Sequence, residues 1–131
     1  MRTLYLVLCL LWLTGCTAKS PVAPTPLNRL FTLGPGEIEA VDGLAVVRFV
    51  GVTGDSRCPA DALCILGGDA IVRIEITELR GSSGSYDLHT AQESVATHGS
   101  LSIHLVRLAP YPFSASPIDP AEYQATLRAT R

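Results

Sequence analysis

The sequence predicts an all-β body: a small antiparallel sandwich or a partly open barrel of about seven short strands. Two observations carry the prediction. Beyond Leu30, apolar and polar residues alternate with period two in several separate segments. Clusters of Gly, Asp, Ser and Pro punctuate those segments, and such residues suit the backbone angles of tight turns.

The chain opens on MRTLYLVLCLLWLTGCTAKS. Arg2 forms a short positive region, Leu4 to Leu13 an apolar stretch too short to span a bilayer, and Leu13-Thr14-Gly15 lead into Cys16. Small residues at Thr14 and Gly15 suit an extended chain in a narrow protease site. The Cys16 thiol stands ready to accept a diacylglyceryl group. Residues 1–15 are therefore expected to be a lipoprotein signal peptide and Cys16 the lipidated N-terminus, its acyl chains (palmitate is the usual case) anchoring the protein in the membrane. Thr17 in place of Asp favours the periplasmic face of the outer membrane if the cell has two membranes. Residues 16–29, with Pro21, Pro24 and Pro26, read as a polyproline-like tether, and residues 30–131 as the β-sandwich domain.

Within the domain, Ile38–Val41 is followed by Asp42-Gly43, a pair that tolerates the positive φ angles of a two-residue hairpin. Leu44 to Val50 is apolar at nearly every position, as expected of a central strand covered on both faces. Ala70, Val72, Ile74 and Ile76 alternate with Ile71, Arg73, Glu75 and Thr77. Gly81 to Gly84 break the chain after Leu79. Tyr86 and Leu88 are expected to point inward and His89 outward, and His98-Gly99-Ser100 reads as a turn before the strand carrying Leu101, Ile103 and Leu105. Asp119 to Glu122, between Pro117 and Ile118 on one side and Tyr123 on the other, reads as a turn or one short helical turn. Tyr123, Ala125, Leu127 and Ala129 complete the pattern.

Of four cysteines, Cys9 leaves with the signal and Cys16 is acylated, which leaves Cys58 and Cys64. In an oxidising compartment this pair is expected to form a disulfide that fixes the loop from Thr53 to Asp69. Metal and redox roles are the alternatives. Two cysteines alone do not close a structural zinc site, and the spacing is not that of a redox Cys-x-x-Cys.

The same loop, Asp55-Ser56-Arg57-Cys58-Pro59, then Cys64, then Gly68-Asp69-Ala70, resembles a family of uncharacterised bacterial secreted proteins and lipoproteins with a D-S-R-C-P…C-x-W-x-G-x-A motif. Leu66 stands where that family has tryptophan. Leu108 to Pro112 and Tyr123 to Leu127 are similar to its closing segments, and the likeness spans roughly residues 31 to 130. It implies a shared fold and brings no activity with it. Asp55, Arg57, Asp61 and Asp69 form the candidate recognition loop; their alternative role is purely local, with Arg57 pairing Asp55, Asp61 or Asp69.

Removing residues 1–15 leaves nine Lys and Arg against twelve Asp and Glu, a balance that argues against nucleic acid as a partner. No nucleophile elbow, zinc-protease motif, phosphate loop or nucleotide fingerprint occurs, so no enzyme and no cofactor is expected. His89 and His104 are weak metal candidates, dependent on their strands being neighbours. Pro110-Tyr111-Pro112-Phe113 reads as a crossover packing its rings on the core, or else as a contact patch. Taken together, these features point to a non-catalytic cell-envelope module binding a protein or a glycan, with a periplasmic metal-handling protein as the rival.

Overall fold

A computed structural model describes residues 23–131. The expected signal peptide, residues 1–15, and the expected lipidation site Cys16 lie outside the described residues. Eight strands run in order: β1 (Leu30–Leu33), β2 (Ile38–Val41), β3 (Ala45–Asp55), β4 (Ala70–Glu78), β5 (Ser83–His89), β6 (Val95–His98), β7 (Leu101–Ala109) and β8 (Gln124–Thr130). A 3₁₀ turn, Pro120–Glu122, precedes β8, capped by the Asp119 side chain on the Ala121 amide.

The strands form two four-stranded antiparallel sheets, ordered β1-β8-β7-β6 and β2-β3-β4-β5. The all-β, sandwich-like architecture expected from the alternation is therefore present, and the sheets do not close into a barrel. Inward residues are those the alternation picks out: Ala70, Val72, Ile74 and Ile76 from β4 share one buried core with Ala125, Leu127 and Ala129 from β8, Val47 and Phe49 of β3 and Ile103 of β7. On β7 the register shifts between Leu105 and Arg107, which is why Leu105 and Leu108 both reach the core although they are three residues apart.

Four readings need correction. The apolar run 44–50 is a strand interior to its sheet, but only one face is covered: Arg48 and Val50 point to solvent, and Arg48 meets Glu75 there at 3.4 Å. Two-layer packing leaves every outer face wet, so an apolar run does not by itself prove burial on both sides. The Asp42-Gly43 connection has the positive φ angles expected (48° and 65°), yet Val41 pairs with Ala45, so Leu44 belongs to the turn, its amide donating to the Val41 carbonyl at 2.9 Å. His98 is not a turn residue; it ends β6 opposite Leu101, and the turn is Gly99-Ser100. Last, the folded body begins before residue 30. The Thr25 amide donates to Ala40 O and its carbonyl accepts from the Asp42 amide, Leu27 packs on the core, and the Asn28 amide donates to Ala129 O. Prolines at 24 and 26 leave Thr25 free to offer its own N–H and C=O to the edge of β2.

The topology gives the body two distinct ends. Asp55, Ala70, His89, Ala109 and Tyr123 stand at one, with the disulfide loop; Thr25, Val41, Ala45, Glu78 and His98 stand at the other.

Candidate functional site

The loop between β3 and β4 is a continuation of their ladder that is then pinched shut. Beyond the Asp55–Ala70 pair, the Ser56 amide donates to Asp69 O at 2.7 Å and the Cys58 amide to Gly67 O at 2.8 Å. Gly68 has φ +70°, and a side chain there would collide with the Ser56 carbonyl, its Cβ placed 1.8 Å from that oxygen. Only glycine lets the two chains approach so closely. Cys58 and Cys64 are joined as expected, with S–S 2.07 Å and Cα atoms 6.0 Å apart.

Arg57 anchors the loop to the sandwich. Its Nε and Nη2 donate to the two oxygens of Asp55 at 2.9 and 2.6 Å, Nη1 donates to Leu108 O at 3.0 Å, and Nη2 also donates to Pro110 O at 2.9 Å. The Tyr111 ring lies 5.2 Å from the guanidinium carbon, and the Tyr123 hydroxyl donates to Asp55 at 2.9 Å. The Arg57 and Asp55 side chains are only 6% and 11% exposed, so this is a buried pair. Burial would push the Asp55 carboxyl up, but the bonds from Arg57 and Tyr123 outweigh it and hold the group below its ordinary value. The same pairing raises Arg57, and burial beside the Asp55 carboxylate raises the Tyr123 phenol.

The other two acids of the loop are also engaged internally. Asp61 accepts from the Ser114 amide at 2.8 Å and the Ser114 hydroxyl at 3.0 Å, which lowers its pKa. Asp69 accepts from the Thr90 hydroxyl and the Ala91 amide, both at 3.0 Å, and pairs with His89 Nδ1 at 2.5 Å. Desolvation works against ionisation there, yet these donors bring the Asp69 carboxyl down to about 2. Of the two roles open to the four charged residues, the structure places all of them in local bonding.

What the loop turns to solvent is apolar. Leu63 and Ile65 are fully exposed and Leu66 is 80% exposed. Between Asp61 and Asp69 no side chain is charged. A second loop, following β7, lies against this one: the Ala60 amide donates to Pro112 O at 2.9 Å, and Tyr111 and Phe113 are 52% and 56% exposed. Their rings flank the disulfide loop rather than entering the core. A shallow groove of about 380 Å³ runs between the loops, with Pro59, Pro112, Phe113, Ile118 and Tyr123 along it and Asp55 in its wall.

The histidines are apart. His89 ends β5 and His104 lies on β7, in different sheets, and His104 Nε2 bonds the Thr130 hydroxyl at 2.9 Å. Among the described residues, no group of three or more His, Cys, Asp and Glu is placed to hold a metal. At the far end lies a constellation that the sequence reading missed. Tyr86 OH meets His98 Nδ1 at 2.7 Å, His98 Nε2 meets the Ser82 hydroxyl at 3.0 Å, and that hydroxyl donates to Glu78 at 3.0 Å. An ionised carboxylate only accepts, so the single Ser82 proton points to Glu78 and His98 Nε2 supplies a proton to the Ser82 oxygen. The chain ties β5 to β6, one strand from each sheet.

Comparison of the chain with family models, curated proteins and solved structures finds no match to any of them.

Proposed function

We propose that this is a lipid-anchored, non-catalytic protein of the cell envelope that binds another envelope component through the end of the sandwich bearing the disulfide loop. One observation carries the reading: five large apolar side chains, Leu63, Ile65, Leu66, Tyr111 and Phe113, are exposed on two loops bonded to each other at one end of the body. Exposed apolar groups gathered on a rigid frame mark contact sites, whereas scattered ones need no explanation. The disulfide, the Arg57 anchor and the Asp61–Ser114 bonds hold the display in place before any partner arrives, which lowers the ordering cost of binding. An aliphatic tip suits an apolar surface better than a hydroxyl-rich glycan.

The anchoring half of the proposal rests on the Cys16 lipobox, with Thr17 favouring the outer membrane's periplasmic face. The resemblance of Asp55–Ala70 to the secreted and lipoprotein family fits the same compartment. A photocrosslinker at Ile65 in the full-length protein in growing cells, with one at Arg80 on the opposite end as the control, tests the reading. Adducts at position 65, to protein or to lipid, well above those at 80 are expected; equal adducts, or none of either kind, overturn it.

A further inference from the structure

We propose that the tip of the disulfide loop inserts into the lipid bilayer that holds the N-terminal anchor, so that the protein rests on its membrane at two points. This deepens the binding reading and rests on the lipidation of Cys16.

The order of side chains along the loop end favours lipid over a protein groove. The aliphatic residues Leu63, Ile65 and Leu66 are exposed past the last rung of the loop ladder, Cys58 to Gly67, while Tyr111 sits nearer the sandwich beside Arg57 and Phe113 adjoins the Asp61–Ser114 bonds. Bilayers sort side chains this way, aliphatic groups toward the acyl chains and aromatic rings at the headgroup level. Protein hot spots are instead rich in Trp, Tyr and Arg and poor in Leu.

Charge placement agrees. A group entering the acyl boundary must leave its ions behind, and here the Ala62 to Gly68 segment carries none. Asp61 is turned back onto Ser114, Asp69 onto His89 and Thr90, and Arg57 is buried against Asp55. Neither loop, 58–69 or 108–119, carries a Lys or Arg that could select anionic headgroups, so attraction is apolar and independent of salt.

The tether fixes the pose, being too short for the domain to stand upright on its loop tip. Thr25 is bridged to Val41, which pairs with Ala45, ten residues along β3 from Asp55. That separation is about 33 Å at strand rise. The nine residues from Cys16 to Thr25 span at most about 32 Å. A domain lying along the surface brings the anchor and the loop tip to one bilayer together.

The test uses the chain from Thr17 onward without lipid, since every buried core side chain among the described residues lies between Phe31 and Ala129. Trp12 is the sole tryptophan of the sequence and is missing from that form, so Leu66→Trp reports on the tip alone. With phosphatidylcholine vesicles at millimolar lipid, its emission should shift to the blue and the wild-type domain should co-sediment, unaffected by added salt. Leu63→Ser with Ile65→Ser should lower the bound-to-free ratio by roughly tenfold or more. Their urea midpoint should not move, because neither side chain packs on anything. An unshifted Leu66→Trp emission, or a double-serine variant that sediments as well as wild type, overturns the inference. Protein adducts at Ile65 in cells together with an unshifted emission overturn bilayer insertion and leave the binding reading standing; no adducts and no shift overturn both.

Discussion

Replacing Arg57 by Met should destabilise the protein by about 3 kcal/mol. Four donated hydrogen bonds disappear, two to the Asp55 carboxylate and one each to Leu108 O and Pro110 O. The carboxylate stays behind, 11% exposed, with the Tyr123 hydroxyl and the Arg57 main-chain amide as its remaining donors. Breaking a buried pair from one side costs about 3–5 kcal/mol, and those two surviving donors put Arg57→Met at the lower end. Urea unfolding of the Thr17-onward domain at neutral pH, followed by circular dichroism, measures it. The melting temperature should fall by about 12 °C or more for a body of this size. Asp55→Leu together with Arg57→Met should recover part of the loss, because no charge is then stranded. The gap between wild type and Arg57→Met should also narrow in acid. Asp55 has a lowered pKa in the folded protein, so its contribution is complete above the unfolded carboxylate range and fades as pH falls through the folded value. An Arg57→Met variant within 1 kcal/mol of wild type (roughly the worth of one ordinary hydrogen bond), or a double variant worse than the single, would refute the assignment of Arg57 as the loop's anchor.

Other expectations follow from the same end of the molecule. Asp69, held at about 2, gives stability that is intact above roughly pH 4 and lost as pH falls toward about 2; calorimetry of Asp69→Asn should show a flatter dependence across that window, and an unchanged slope would count against it. Cys58→Ser with Cys64→Ser should cost about 2 kcal/mol in urea, the loop-entropy value for so short a ring. Gly68→Ala should cost more than about 2 kcal/mol, since the new methyl meets the Ser56 carbonyl at a φ that side chains avoid; a neutral result would mean that the chains at the loop base can separate freely.

Much of the fold was legible because period two leaves a direct trace. The β4 and β8 alternations name their core residues without error. Less visible were features set by pairing between distant segments. Thr25 belongs to the sandwich only because β2 offers it an edge, and nothing in a proline-rich stretch announces that. The outer face of β3 is wet because its sheet packs on one side alone, a property of the layer and not of residues 44–50. At the candidate site, the disulfide and the Asp55–Arg57 pair could be read locally, being six and two residues apart. That Leu108, Pro110 and Tyr123 complete the Arg57 environment could not, since they come from the other sheet's end of the chain. The loop's charges are occupied, and the large side chains it leaves to solvent are Leu63, Ile65 and Leu66. His98 was hidden for a similar reason, its partners Tyr86 and Ser82 lying on a strand of the opposite sheet and the turn before it.

Confinement to a surface, which the anchoring reading entails, multiplies encounters between copies of a protein. Under such crowding an open strand edge becomes a template for pairing with a neighbour. The Thr25 segment narrows that route on β2: it accepts from the Asp42 amide, donates to Ala40 O, and its hydroxyl bonds Glu39, so the last part of the edge is occupied by the chain's own approach to the fold. If Cys16 is the anchor, the stretch that leads to it thereby also hinders copies from zipping together along this end of β2.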